Sequence, residues 1–225
     1  MVGLVLLLVV LSLLSLLLDL QVIWWVLYKV LALMALALII IFQPELRNAL
    51  ARLGSSKLFM FSKTQKHEFL DTFCDAVTQL SKKRIGALFA FERAISLKDH
   101  LETGVPLDAI LSPEFALTIF HPKTALHDGG MIISKNRVAG AGCVFPVSSR
   151  ELEDRSTGLR HRAAIGITEE TDCVAVVVSE ETGQISICMD GKLERNLKKD
   201  EFRTRMEAIF VPEDNNNEED AEKEL

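Results

Sequence analysis

The stretch LHDGGMIIS at residues 126–134 decides the fold, because a polar turn leads here directly into an apolar strand. Gly129 and Gly130 lack a Cβ, so another backbone or a phosphate can approach the main chain closely at this point. Asp128 adds a carboxylate beside them. The stretch therefore predicts a strand that begins next to a ligand site, although Asp and Gly together are also typical of an ordinary turn.

A second polar stretch, GLRHR at residues 158–162, opens a predicted amphipathic helix. Free N–H groups and the helix dipole favour an anion at a helix start and disfavour cations there. Arg160, His161 and Arg162 would therefore be unfavourable without a bound anion. Arginine can donate paired N–H bonds to phosphate oxygens, and an imidazole can bind phosphate without full charge. We interpret the stretch as a triphosphate site, with a solvated basic helix start as the alternative.

Helical and strand patterns alternate between these stretches and on either side of them. Apolar positions at helical spacing predict a helix over residues 64–83, and Ser112 followed by Pro113 is typical of the start of another helix, which continues to residue 120. We predict an α/β domain with a single mixed β-sheet flanked by helices, and the run VAVVV at residues 174–178 as its buried centre. The predicted strands are residues 85–90, 107–111, 131–134, 138–144, 174–179 and 184–188, of which the last four form two hairpins.

The first 43 residues have the composition of membrane-spanning helices. Residues 1–18 and 30–42 contain no charged side chain. At about 1.5 Å per residue, the first run is marginally long enough to cross about 30 Å of hydrocarbon. The second run can cross if its helix begins near Val22, with Trp24 at the interface. We predict two transmembrane helices joined by a tight loop around Asp19; a signal peptide is the alternative, but its basic segment and cleavage site are missing from the sequence.

Five basic residues follow the second predicted span and indicate the orientation of the chain. Loops rich in Lys and Arg stay on the cytoplasmic side, so we expect a protein of the cell membrane whose region after the spans is cytoplasmic. Residues 44–63 are then a basic juxtamembrane linker, and residues 64–211 form the α/β domain. The five basic residues are Arg47, Arg52, Lys57, Lys63 and Lys66.

Charge and cysteine usage narrow the function classes. The net charge of −6 comes from the last 13 residues, which contain seven acids and one lysine. We predict that residues 212–225 form an acidic disordered tail, and that the protein does not bind nucleic acid. The four cysteines lack a Cys-x-x-Cys spacing, as expected for buried thiols in a reducing compartment. The sequence contains no P-loop, Rossmann glycine fingerprint or Gly-x-Ser-x-Gly elbow.

The two polar stretches resemble the signature of the diadenylate cyclase domain, an Asp-Gly-Ala turn followed by an Arg-His-Arg run. Residues 42–47 (FQPELR), 160–167 (RHRAAIGI) and 179–183 (SEETG) also resemble the membrane-anchored branch of that family. The resemblance covers roughly residues 22–205. It implies that the domain condenses two ATP molecules into cyclic di-AMP and releases two pyrophosphates.

That reaction gives a role to each conspicuous polar residue. An attacking 3′-hydroxyl has to lose its proton, or be polarised by a metal, and the Asp128 carboxylate can serve either purpose. The resemblance implies that residues 179–183 face the nucleotide, which makes Glu181 a ligand of Mn²⁺ or Mg²⁺ alongside His127 or Asp128. Taken alone, the same segment is an exposed hairpin turn. The predicted ATP-binding residues are Gly129, Gly130, Arg160, His161, Arg162 and Ser179.

Ring closure needs two in-line attacks, so the 3′-oxygen of each ATP must face the α-phosphate of the other. One site cannot easily present both nucleotides, and we predict a head-to-head homodimer for catalysis, as the resemblance also implies. The resemblance further implies a membrane-bound YbbR-domain regulator and a phosphoglucosamine mutase as partners.

Three positions depart from the family pattern. Gly130 replaces the usual Ala, Leu159 stands where Thr is common, and Val144 stands where an aromatic residue often stacks on adenine. Loss of such stacking costs about 1–3 kcal/mol in nucleic-acid binding. Two alternatives to the enzyme therefore stay open: a membrane-tethered nucleotide-binding sensor without turnover, and a structural membrane adaptor in which both motifs are only turns.

Overall fold

The computed structural model describes Leu6 and residues 21–43, 63–150 and 158–211. These residues fall into two units, one before and one after residue 50. Several predicted segments lie outside the described residues: the first membrane span apart from Leu6, the loop around Asp19, the linker apart from Lys63, and the acidic tail.

The first unit contains one long apolar helix among the described residues, α1 (Gln21–Ile41). Its segment Trp24–Ile41 has a mean hydropathy of 2.3 and is long and apolar enough to cross a membrane. Trp24 and Tyr28 stack with their ring centroids 6.0 Å apart, and Lys29 Nζ lies 5.7 Å from the Trp25 ring centroid. The helix predicted to begin near Val22 is confirmed, with amphipathic side chains gathered at its first turns.

The second unit is built on a seven-stranded mixed sheet with the strand order β2-β4-β3-β1-β5-β6-β7. β1 and β3 are parallel, whereas the other neighbouring strands are antiparallel. The strands are β1 (Ala87–Phe91), β2 (Val105–Ala109), β3 (Gly130–Ser134), β4 (Arg137–Cys143), β5 (Val174–Val178), β6 (Ile185–Met189) and β7 (Lys192–Leu197).

Helices cover both faces of this sheet. The described helices of this unit are α2 (Lys63–Lys83), α3 (Lys98–Leu101), α4 (Pro113–Phe120), α5 (Leu159–Glu170) and α6 (Lys199–Phe210). Side chains alternate across β1, so Phe89 packs with α2, α4 and α6 on one face, while Leu88 packs with α5 on the other. A strand with apolar side chains on both faces of the sheet needs helices packed on both faces. This requirement accounts for the full burial of β1 and β5.

The predicted single mixed sheet flanked by helices is confirmed. α4 begins as expected, because Ser112 Oγ accepts the N–H of Phe115 at 3.1 Å and Pro113 is the first helical residue. Both predicted hairpins form, as β3–β4 and β5–β6. The strand expected over residues 107–111 instead runs from Val105 to Ala109. The sequence predicts that residues 174–178 form the buried centre of the sheet. They form β5, which is fully buried, but β1 occupies the middle of the sheet.

Three elements have no counterpart in the sequence-based prediction: α3, β7 and α6. β7 is an edge strand whose residues are mostly exposed, and α6 buries only Phe202 and Met206. Such polar elements carry little hydrophobic periodicity. The four cysteines are free and buried as predicted, and burial raises the pKa of each thiol to about 11 or 12.

Candidate active site

A pocket of about 490 Å³ opens at the end of the sheet where β1 begins and β5 ends. Four segments form its walls. They are the connection from α2 to β1, the loop before β3, the first turn of α5 and the turn after β5. The pocket thus brings together the two polar stretches and the 179–183 turn, which are far apart in the sequence.

Arg160 is held inside this pocket by two hydrogen bonds. Its Nη1 donates to Glu180 Oε2 at 2.8 Å, and its Nη2 donates to the carbonyl of His127 at 3.1 Å. Its Nε is buried and has no hydrogen-bond partner among the described residues. A buried donor without an acceptor is costly, and a phosphate oxygen is the kind of acceptor that would satisfy it.

Gly86 makes room for this arrangement. A Cβ at Gly86 would lie 2.9 Å from both Arg160 Nη1 and Glu180 Oε2. A larger residue would therefore force Arg160 or Glu180 to shift and would disturb their ion pair. Gly86 thus sets the place of the guanidinium through its missing side chain.

His127 and Asp128 line the pocket beside Arg160. His127 Nδ1 lies 2.7 Å from the carbonyl oxygen of Thr124. Because a carbonyl can only accept, this bond requires the proton on Nδ1, so in the neutral form of the ring the lone pair is on Nε2. Asp128 is exposed at the pocket wall, so its carboxylate is accessible to a substrate or a metal.

The turn after β5 contributes Ser179, Glu180 and Glu181 to the pocket. Ser179 Oγ accepts the N–H of Thr182 at 3.3 Å. Ser81 Oγ in α2 donates to the carbonyl of Gly183 at 2.6 Å. Hydrogen bonds therefore hold the turn together and join it to the end of α2. Glu181, within this turn, is exposed.

His161 lines the pocket at the first turn of α5. Burial and then the positive charge of Arg195 lower the pKa of His161 below its usual value, and Glu181 opposes this shift. The imidazole is therefore neutral at pH 7 and can share a hydrogen bond with a phosphate. Within the described residues, no side chain caps α5 at Gly158. The N–H of His161 donates to the Gly158 carbonyl at 3.1 Å, so the N–H groups of Leu159 and Arg160 are the ones available to an anion.

The structure places three other predicted site residues away from the pocket walls. Arg162 donates from Nε and Nη2 to the carbonyl of Ser148, at 3.2 and 2.8 Å. A Cβ at Gly130 would lie 2.1 Å from the Phe145 ring, and a Cβ at Gly129, whose φ is +140°, would lie 2.7 Å from the backbone of Gly142. The space left by the missing side chains of these two glycines is therefore occupied by Phe145 and by the backbone of Gly142.

Arg84, Gly86 and Glu180 line the pocket, yet the sequence-based reasoning gave them no role. Glu180 precedes the predicted ligand Glu181, so the same turn could have suggested it. Arg84 and Gly86 follow α2, where basic residues and glycine are usual for any helix end. A local sequence signal for these two residues is therefore missing.

The side chains that line the pocket can be compared with the ligands that a divalent metal ion needs. Among the described residues, no three His, Cys, Asp or Glu side chains are grouped so that they could hold a metal ion. His127, Asp128 and Glu181 nevertheless line one pocket. Mg²⁺ is commonly held by one or two carboxylates together with substrate phosphates. The donors fit a metal site that substrate phosphates complete.

A mixed α/β domain whose pocket combines an arginine with a buried Nε, an imidazole and an uncapped helix start fits the nucleotide-binding class. The sequence profile described as DisA bacterial checkpoint controller nucleotide-binding matches residues 74–193. Cyclic di-AMP synthase CdaA from Bacillus subtilis (strain 168) is 41% identical over 197 residues, covering 86% of this chain and 72% of that protein. A diadenylate cyclase from Listeria monocytogenes is 40% identical over 188 residues, covering 82% and 69%.

Two solved structures are also similar. A double mutant of DacA from Staphylococcus aureus aligns with a TM-score of 0.64 and 38% identity, covering 67% of this chain and all of that one. A hypothetical membrane spanning protein from Bacillus cereus aligns with a TM-score of 0.56 and 29% identity, covering 76% and 88%. The chain belongs to the diadenylate cyclase family.

Proposed function

We propose that this chain is a membrane-anchored diadenylate cyclase that joins two ATP molecules into cyclic di-AMP and releases two pyrophosphates. The observation that carries the proposal is the pocket itself. It gathers Asp128, Arg160 and His161 from segments far apart in the sequence and leaves Arg160 Nε without an acceptor among the described residues. Family membership supports the same reaction.

Substrate binding is assigned to the start of α5 and to the turn after β5. Arg160 donates to phosphate oxygens from its fixed position, and neutral His161 adds a hydrogen bond without requiring a charge. Ser179 lies on the opposite segment of the same pocket. Gly129, Gly130 and Arg162 serve as supports of this site, since their closest contacts are with the protein.

Asp128 is the proposed catalytic residue. The carboxylate accepts the proton of a 3′-hydroxyl, the 3′-oxygen forms a bond to the α-phosphorus, and the bond from that phosphorus to the bridging oxygen of pyrophosphate breaks. When bound, a divalent metal supplies Lewis-acid polarisation of the phosphate. His127 Nε2, Asp128 and Glu181 would hold this Mn²⁺ or Mg²⁺ together with phosphate oxygens.

The reaction needs two such attacks, so we place one ATP in each of two subunits that meet head to head. α1 would hold this pair at the membrane, with residues 64–211 as the catalytic domain on the cytoplasmic side. The linker over residues 44–63, the acidic tail over residues 212–225, the YbbR-domain regulator and the phosphoglucosamine mutase stay predictions from sequence and resemblance.

The test uses the full chain in detergent micelles with ATP and either Mn²⁺ or Mg²⁺, with nucleotides identified by mass. We expect cyclic di-AMP from the native protein and a rate at least about 100-fold lower from Asp128→Asn. Asp99→Asn, an exposed carboxylate in α3, is the matched control and should retain activity. If the native protein binds ATP but forms no product, the chain is a nucleotide sensor and the proposal is wrong.

A further inference from the structure

Arg84 occupies an unusual backbone position at the end of α2. The N–H of Ile85 donates to the carbonyl of Leu80 at 3.0 Å, and the N–H of Arg84 donates to the carbonyl of Ser81 at 3.1 Å. These two bonds form a Schellman motif, in which Arg84 takes the left-handed position with φ +52°. Glycine is usual there because a Cβ makes this conformation unfavourable.

The strain at Arg84 coincides with the pocket. Seven non-glycine residues have positive φ within the described part of the chain, and Arg84 is the one that lines the pocket. Strained residues tend to occur at functional sites, where the side chain has to be kept in spite of the backbone cost. An arginine in place of glycine therefore points to a role for its guanidinium.

The side chain of Arg84 lies beside the turn after β5. A Cβ on Gly183 would lie 3.4 Å from Arg84 Cγ, and the bond from Ser81 Oγ to the Gly183 carbonyl holds the same two segments together. Among the described residues, the structure gives the Arg84 guanidinium no ion-pair or hydrogen-bond partner. An exposed cation thus lies at the pocket rim and is available to a ligand.

The helix dipole alone does not explain Arg84. Lys82 and Lys83 already supply positive charge to the last turn of α2. Neither lysine lines the pocket, whereas Arg84 does. The charge of the pocket also favours a binding role for Arg84. Three carboxylates line the pocket and disfavour an anion there, and among the described residues Arg84 and Arg160 are the two arginines that line it.

We propose that Arg84 is a further substrate-binding residue, whose guanidinium binds the β- and γ-phosphates of ATP. This assignment rests on the proposed function for the identity of the substrate. Asp128 acts at the reacting α-phosphate from the loop before β3. Arg84 enters from a different wall, at the end of α2, and therefore suits the part of the triphosphate that leaves as pyrophosphate.

The decisive variant is Arg84→Gly, because glycine suits the left-handed backbone and should leave the thermal midpoint within about 2 °C of the native value. In the full chain with Mg²⁺, we expect about tenfold weaker ATP binding by titration calorimetry, and unchanged binding of AMP, which lacks the outer phosphates. Arg84→Lys should recover part of the affinity. Lys83→Ala removes the same charge from the same helix turn and should bind ATP normally.

Three results would overturn the assignment: ATP binding by Arg84→Gly equal to that of Lys83→Ala, an equal loss of AMP binding, or no ATP binding by the native chain. Turnover of the same samples to cyclic di-AMP separates this inference from the proposed function. If the native chain binds ATP without forming product, the proposed function fails, and the comparison of ATP with AMP still decides the role of Arg84.

Discussion

Arg160 and Arg162 stand two residues apart in the first turn of α5, yet they contact different parts of the molecule. The pocket side of this turn, Arg160 and His161, lines the candidate active site. On the loop side, Arg162 binds the carbonyl of Ser148, and the N–H of Ser148 donates back to the carbonyl of Arg162 at 3.1 Å. Residues two apart on an α-helix point in directions about 160° apart.

One short motif therefore both lines the pocket and binds the neighbouring loop. The loop side continues along α5, where a Cβ at Gly166 would lie 2.1 Å from the carbonyl oxygen of Pro146. This close packing holds the segment after β4 against the helix and so fixes the direction of the first turn. The sequence predicts three equal phosphate ligands in this motif. Helix geometry divides them into a pair that lines the pocket, Arg160 and His161, and one residue, Arg162, that binds the loop.

The largest effect is expected from Arg160→Ala on the pocket side. Loss of charge-assisted hydrogen bonds worth about 2–3 kcal/mol should weaken ATP binding roughly 100-fold, measured by titration calorimetry. Arg160→Lys keeps the charge without the paired donors, so it should recover only part of the affinity. Unchanged ATP binding by Arg160→Ala would contradict the assignment of the pocket side to substrate.

Arg162→Ala tests the loop side. It removes two hydrogen bonds to Ser148, so the free energy of unfolding should fall by about 1–2 kcal/mol and the thermal midpoint by about 5 °C, measured by circular dichroism. ATP affinity should stay within about threefold of the native value. A loss of affinity as large as that of Arg160→Ala, without loss of stability, would show that the two sides are not distinct.

Glu180→Gln sharpens the description of the pocket side. The amide can still accept from Arg160, but a negative charge disappears from the pocket in which we propose that the polyanion ATP binds. Because the Glu180 side chain is 65% exposed, the gain should be small, about threefold tighter ATP binding. Weaker binding would instead indicate that the carboxylate is needed to position Arg160. The measurement is the same ATP titration at constant ionic strength.

The smallest effect concerns pH and His161. Burial lowers the pKa of His161, so the unfolded chain binds this proton more readily than the folded protein. The stability that neutral His161 provides is fully present above the pKa of the unfolded chain, which is near 6.5. It is lost as the pH falls through that value toward the lower pKa of the folded protein. His161→Gln should therefore lose less thermal stability than the native chain between pH 7.5 and 5.5. His67→Gln, at an exposed position, is the control and should behave as the native chain does.

Elements with strong local patterns could be predicted from the sequence alone. α1, α2, α4 and the two hairpins follow from apolar runs, helix caps and turn residues, which act within a few positions of the chain. β7 and α6 could not be predicted in this way, because an exposed edge strand and a mostly polar helix depend on the sheet against which they pack.

The sequence by itself determined the α/β domain, the apolar helix α1 and the motifs that mark the diadenylate cyclase family. Only the tertiary structure decided that Arg160 faces the pocket while Arg162 does not, and that Phe145 fills the space beside Gly130. It also joined Ser81 to Gly183, 102 residues away, and so brought Arg84 to the pocket. Periodicity and caps report local geometry, whereas these contacts exist only after distant segments have packed together.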